Sequence, residues 1–236
     1  MALRAVTLDA AGTLFTVAEP VGETYARIAG RHGLGVGAAR AEEGFRRAFA
    51  TAPPLAFPGA SPTRLDAHER AWWYAIVRQA LAATAGPELD ACFAELYAHY
   101  ASAAAWRVLP EAPGVLADLR ARGLRLAVVS NFDGRLGRVL DGLELRPLVD
   151  AVIVSSRAGS AKPDPAIFHA ALAALDVRAG EALHVGDGPV EDALGALGAG
   201  LRAALVGGRP PSRPLPADVA LLASLAELPA LVETLP

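Results

Sequence analysis

The sequence predicts an α/β fold: an open parallel sheet covered by helices on both faces and interrupted near its start by an all-helical insertion. Three observations predict it. Short apolar runs bounded by turn residues recur along the chain, helix-like segments separate the later runs, and residues 16–107 contain no such run at all.

The runs are "LRAVTL" (3–8), "LRLAVVS" (124–130), "AVIVSS" (151–156), "ALHVG" (182–186) and "LRAALVG" (201–207). Each has the length and continuous apolarity of a strand buried on both faces. "GVLADLRARG" precedes the second run, "GRLGRVLDGL" follows it, "PAIFHAALAALD" precedes the fourth and "EDALGALGAG" the fifth. Strand and helix alternate, as parallel crossover connections require. "LASLAELPALVETL" reads as a last helix packing back on the sheet.

Between the first two strands, "VGETYARIAGRHG", "AARAEEGFRRAFA", "RLDAHERAWWYAIVRQALAATAG" and "ELDACFAELYAHYASAAAW" have helical length and spacing. Proline marks an internal connection, "TAPPLAFPGASP", and the exit, "VLPEAPG". The expected organisation is therefore an α/β core of residues 1–15 and 108–236, with an inserted four-helix cap of residues 16–107 beside the end of the first strand. Trp72, Trp73 and Tyr74 are expected to pack helix on helix rather than to form a ligand platform. "GLGVG" (33–37) and "GALGAG" (195–200) read as turns or caps, because neither follows a strand and opens a helix, and no "GxxxxGK" phosphate loop occurs.

Composition narrows the function. Of 236 residues 53% are hydrophobic and 20% charged, and no apolar run approaches the roughly 18 residues of a membrane span. Asp9 interrupts what would be the apolar core of a signal peptide. Cys92, the single cysteine, has no disulfide partner or metal-type spacing; it is expected to be buried filler in a reducing cytoplasm. A net charge of −3 with scattered arginines offers no basic stripe for nucleic acid. No feature of the sequence fixes an oligomeric state.

All but one of the 22 Lys+Arg residues are arginine, the exception being Lys162; Asn131 is the single asparagine. In an open parallel sheet, ligands bind beyond the carboxyl ends of the strands. Asp9 follows the first strand, Ser130 and Asn131 the second, and Asp187 the fourth with Asp192 five residues on; Lys162 lies in the loop leaving the third. Each has an ordinary reading as a cap, turn or solvated residue. Together they place three carboxylates, a hydroxyl, an amide and the only ammonium on one rim. Clustered oxygen ligands with solvent access suit Mg²⁺, and a carboxylate beside it can attack phosphorus, with Lys162 offsetting charge and Ser130 holding phosphoryl oxygens.

The sequence resembles the haloacid dehalogenase superfamily: "LDAAGTL", "VVSNFD", "SAKPDPAIF" and "HVGDGPVEDALGALGAG" are similar to its four motifs, in order. "PVGETYA", "AWW" and "RGLRLAVVSNFD" resemble the subgroup related to the fly rhythmically expressed gene product. The resemblance implies a Rossmann-like core with an inserted helical cap. It also implies Asp9 as nucleophile, Ser130 (with Asn131) as phosphate binder and Lys162 as charge neutraliser. Mg²⁺ would be held by Asp9, the Ala11 backbone carbonyl and Asp187, with Asp192 assisting through water or from behind. A small phosphorylated molecule is the implied substrate.

The first motif departs from the family's phosphatases, which carry a second aspartate where this chain has Ala11. General acid and base help, worth roughly 10²- to 10⁴-fold, is missing. Glu19, His68 or Glu69 could supply it from the cap side, although each reads more simply as a solvated helix residue; His184 reads as a hydrogen-bonded core residue. Three functions stay open: a Mg²⁺-dependent phosphatase, a phosphate-ester binding or regulatory module without turnover, and a 2-haloacid dehalogenase, against which Asp187 argues. Phosphonate cleavage needs a cap lysine, and residues 16–107 contain none.

Overall fold

In the computed structural model, which describes residues 2–207 and 214–235, the core is a six-stranded sheet in the order β5-β4-β1-β6-β7-β8. Its strands are β1 (Ala5–Leu8), β4 (Arg125–Ser130), β5 (Ala151–Val154), β6 (Ala182–Gly186), β7 (Arg202–Val206) and β8 (Val219–Leu222), and all their pairings are parallel. Helices α5 (Ala112–Ala121), α6 (Leu136–Gly142), α8 (Pro165–Leu175), α9 (Gly195–Gly198) and α10 (Leu228–Thr234) and the short α7 (Ser155–Ala158) connect or follow them. Alternate strand residues feed two separate apolar layers: Val6, Leu8, Leu126 and Val128 pack with α5 and α6, whereas Ala5, Ala127 and Val129 pack with α8. This is the Rossmann-like arrangement, with β1 at the centre and the strand order reversing beside it, which opens a crevice at its carboxyl end.

Between β2 (Phe15–Val17) and β3 (Trp106–Val108) lie α1 (Val21–Arg31), α2 (Ala38–Thr51), α3 (Pro62–Ala80) and α4 (Pro87–His99). They share a hydrophobic cluster of their own, centred on Tyr25, Ile28, Val77, Leu89 and Leu96. Cys92 is buried within it, and burial pushes its thiol up to about 11, so it is an inert filler.

Two expectations need correction. Residues 16–107 are not free of strand: Phe15, Thr16 and Val17 pair antiparallel with Val108, Arg107 and Trp106 where the chain leaves and re-enters the sheet region. Three residues are too few for a periodic signal, and the pairing joins segments distant in sequence. The expected last helix likewise begins later, because Leu222 belongs to β8 and the helix proper starts at Leu228.

Candidate active site

β1 delivers Asp9 to the crevice. Its N–H donates to Val185 O (2.9 Å), extending the ladder with β6 by one residue, and the residue is 7% exposed. The chain then turns sharply, with Leu14 N–H donating to Ala10 O (2.8 Å) and Gly12 N–H to Phe15 O (2.8 Å). Gly12 has φ +102°, and a Cβ there would lie 2.4 Å from Asp187 Oδ2. Only glycine lets this turn approach the carboxylate that ends β6.

Lys162 sits between two carboxylates, donating from Nζ to Asp9 Oδ1 (2.6 Å) and Asp192 Oδ1 (2.5 Å). Asp192 also receives Gly188 N–H on Oδ2 (2.8 Å) and meets His184 Nε2 at 3.1 Å; His184 Nδ1 lies 2.8 Å from Thr7 Oγ1. A neutral imidazole donating from Nε2 and accepting at Nδ1 satisfies both neighbours. Burial holds His184 below its ordinary pKa and keeps it neutral, so it is the hydrogen-bonded core residue expected, with the added role of fixing Asp192. Asn131 grips the lysine loop at two points: its Nδ2 donates to Lys162 O (2.9 Å) and its Oδ1 accepts from Lys162 N–H (2.7 Å). The single asparagine therefore positions the single lysine. Ser130, buried at the end of β4, lines the same cavity, and its hydroxyl has no protein partner among the described residues.

Charge in this floor is out of balance. Burial, only partly offset by Lys162, raises the Asp9 pKa; burial acts on Asp192 too, but Lys162 and His184 outweigh it and hold that carboxyl well below its ordinary range. Burial followed by repulsion from Asp9 and Asp192 pushes solvent-facing Asp187 up to about 6. Lys162 resists the lowering effect of burial and stays above its ordinary value because two carboxylates face it.

One ammonium thus opposes three carboxylates, whose oxygens lie within 4.8 Å of one another. Hard oxygen donors, surplus negative charge and one solvent-facing member suit a divalent cation, and the residues fit such an ion. Asp192 is already committed on both oxygens, which suits a place behind the ion rather than on it.

The floor opens into a cavity of about 730 Å³ that Ala11, Glu191, Arg135 and a set of aromatic residues also line. Trp72 and Trp73 are among them; both pack α3 against Phe49 of α2, as expected, and line the cavity as well, while Tyr74 packs against Phe93. Glu19, His68 and Glu69 are not among the lining residues. Glu19 accepts from Thr24 and Arg27, and His68 stacks on Phe57. Glu69, read as solvated, is 2% exposed and accepts from Gly134 N–H (3.1 Å), Ser156 Oγ (2.7 Å) and Arg157 Nε (3.0 Å), tying α3 to the sheet region. Reading from sequence also missed Asp133 and Arg135. Asp133 accepts from Arg135 Nε (2.9 Å) and Nη2 (2.6 Å) and from Trp73 Nε1 (2.5 Å), a second seam between the helices and the floor. The only signal was their spacing of two residues on a turn.

An aspartate ending the central strand, braced by a lysine and by carboxylates from another strand end, defines a hydrolase of the aspartate-centred α/β class. The chain belongs to the haloacid dehalogenase-like hydrolase family, whose model matches residues 3–200. It is 39% identical over 241 residues to haloacid dehalogenase-like hydrolase domain-containing protein 3 of Bos taurus, covering 99% of this chain and 93% of that protein. It is similar to rhythmically expressed gene 2 protein of Drosophila melanogaster, at 37% over 38% of this chain and 35% of that one. A phosphoserine phosphatase of Thermus thermophilus is 37% identical over 54% of this chain and 58% of its own length. A crystal structure of a HAD phosphatase from Thermococcus onnurineus shares the fold, with TM-score 0.68, 23% identity and 98% of each chain covered. The family typically uses a divalent metal, and among the described residues no helix is long and apolar enough to cross a membrane.

Proposed function

We propose that the protein is a Mg²⁺-dependent phosphatase acting on a small phosphate ester through an aspartyl-phosphate on Asp9. The observation that carries this reading is the placement of Asp9: a buried carboxylate at the end of the central strand, on the floor of a cavity, paired to Lys162 and grouped with Asp187. The similarity to a named phosphatase supports it. The helices α1–α4 act as a cap over the floor.

Asp9, Asp187 and the Ala11 carbonyl would hold Mg²⁺, with Asp192 behind them; when bound, it would neutralise the phosphoryl oxygens and let an anion approach Asp9. The remaining work falls to the chain. Asp9 attacks phosphorus, the ester oxygen leaves, and water then attacks the phosphoryl group to restore the carboxylate. Lys162 keeps Asp9 ionised and oriented, while Asn131 and His184 fix Lys162 and Asp192. Ser130 Oγ is the donor left for a phosphoryl oxygen. With the Asn131 amide taken by Lys162, its main-chain N–H remains as the group for phosphate.

Ala11 supports the second reading, a binding module without turnover. Hydrolysis of an aryl phosphate separates the two. Turnover that requires Mg²⁺ and vanishes in Asp9→Asn sustains the phosphatase; no turnover in wild type or in Ala11→Asp supports the binding module. Halide release from a 2-haloacid without Mg²⁺ would favour the dehalogenase.

A further inference from the structure

The cavity is far larger than a phosphoryl group needs: about 730 Å³ lies within the size range of pockets that enclose a drug-sized ligand. Its occupant therefore has a substantial body beyond the phosphate. Above the floor the walls are ring faces. Phe49 stands 5.9 Å from Trp72, 6.1 Å from Trp73 and 5.6 Å from Phe45, and Tyr97 and Phe132 line the same space. The polar edges of the two tryptophans are already satisfied, since Trp72 Nε1 donates to Pro53 O (3.0 Å) and Trp73 Nε1 to Asp133. Tryptophan faces whose donors are spent suit flat apolar groups, which stack on them.

Charge excludes the alternatives. Two cations line the cavity, Lys162 and Arg135. Lys162 is spent on Asp9 and Asp192. Arg135 is spent on Asp133, donates from Nη1 to Tyr97 O (3.2 Å), and lies 3.9 Å from the Tyr97 ring and 5.1 Å from that of Trp73. No cation among the lining residues is left for a second phosphate or a carboxylate, and Glu191 adds negative charge. Phosphoamino acids, bisphosphates and haloacids would each bring an unpaired anion into such a space.

Resting on the phosphatase reading, we infer that the substrate is a phosphate monoester of a phenolic, ring-bearing alcohol. The class accounts for Ala11 as well as for the aromatic walls. Asp9 forms the new P–O bond as the P–O(aryl) bond breaks, and the electron pair leaves on a phenolate. A phenol has a pKa of about 10, like the tyrosine side chain, so its oxygen departs without the proton an alkyl alcohol requires. Water then attacks phosphorus, losing its proton to solvent, and the P–O(Asp9) bond breaks to release phosphate.

The test compares 2-naphthyl phosphate, phenyl phosphate, glycerol phosphate and phosphoserine with Mg²⁺ present. The expected kcat/KM is at least about tenfold higher for naphthyl than for phenyl, whose leaving groups are closely matched, with the gain arising in KM from extra buried ring area. Phe49→Ala, at a residue 47% exposed, and Trp72→Ala are expected to erase most of that ratio by raising KM for the naphthyl ester more than for the phenyl ester. A second arm needs no catalysis: calorimetry with 2-naphthol, expected to bind saturably to wild type and at least about fivefold more weakly to Trp72→Ala. Glycerol phosphate or phosphoserine outperforming the aryl esters, with no naphthol binding, would overturn the inference and leave the phosphatase intact. Naphthol binding with no ester hydrolysed would sustain the apolar pocket and sink the phosphatase.

Discussion

The floor of the cavity is held by charges that depend on one another, whereas its roof is held by ring faces that spend their polar edges elsewhere. Asp9, Lys162, Asp192 and His184 form one chain of contacts in which each member satisfies the next. Phe49, Trp72 and Phe45 contribute area and shape, and any one of them can change without stranding a charge. The difference teaches where each property resides. Under the proposed function, reaction chemistry would belong to the floor, where a lost partner is costly, and selectivity to the roof, where changes are graded.

Breaking the floor gives the largest effect. Lys162→Met leaves Asp9 and Asp192 facing each other without a cation, which is expected to cost about 3–5 kcal/mol in urea unfolding and to abolish turnover. A variant with unchanged stability would mean that Lys162 does not hold the floor together. The seam between floor and roof comes next. Glu69→Ala strips the acceptor from Gly134 N–H and Ser156 Oγ and is expected to cost about 1–3 kcal/mol; Arg157 is partly solvated, which keeps the loss below that of a fully buried pair. Because the residue is outside the cavity, kcat for phenyl phosphate should change little, and a loss of activity without a loss of stability would place Glu69 in the chemistry instead.

Restoring the family's acid sharpens the comparison from the other side. Ala11→Asp is expected to raise turnover of an alkyl phosphate at least about tenfold and that of an aryl phosphate less, since only the alkoxide needs the proton. Equal gains on both would remove the link between Ala11 and a phenolic leaving group. The smallest effect is expected at the opposite end of β6 from Asp187, at Glu181. Hydrogen bonds from the Arg178 side chain and backbone hold Glu181 down to about 2 from an ordinary 4.5. A depressed carboxylate stabilises the fold above its unfolded value and loses that contribution as pH falls through the folded one. Glu181→Gln should therefore be less stable than wild type at pH 7, and the gap should close between about 4.5 and 2. A gap independent of pH would assign the effect to hydrogen bonding alone.

The floor was legible in the sequence and the roof was not. Strand ends follow from short apolar runs, and a chain that uses arginine everywhere else marks Lys162 by keeping one lysine, so six side chains could be placed on one rim from the sequence. The pairings inside the floor were less legible. That Asn131 clamps Lys162 depends on how the loop after β5 folds over β4. Trp72 and Trp73 are aromatic residues at neighbouring helical positions, which predicts packing on another helix but not that they also border a void. That outcome is decided by where α2 and α3 settle over the sheet. β2 and β3 escaped for a related reason, being three-residue strands that exist only through each other.

The central claim is that Asp9 carries the phosphoryl group. The direct test is acid quenching of wild type during turnover of 2-naphthyl phosphate with Mg²⁺, followed by mass spectrometry of the peptide containing Asp9. The account predicts a phosphoryl adduct on Asp9, absent without Mg²⁺ and absent in Asp9→Asn, which should also lose on the order of 10³-fold or more in kcat. Continued turnover by Asp9→Asn with no adduct at any time would contradict it.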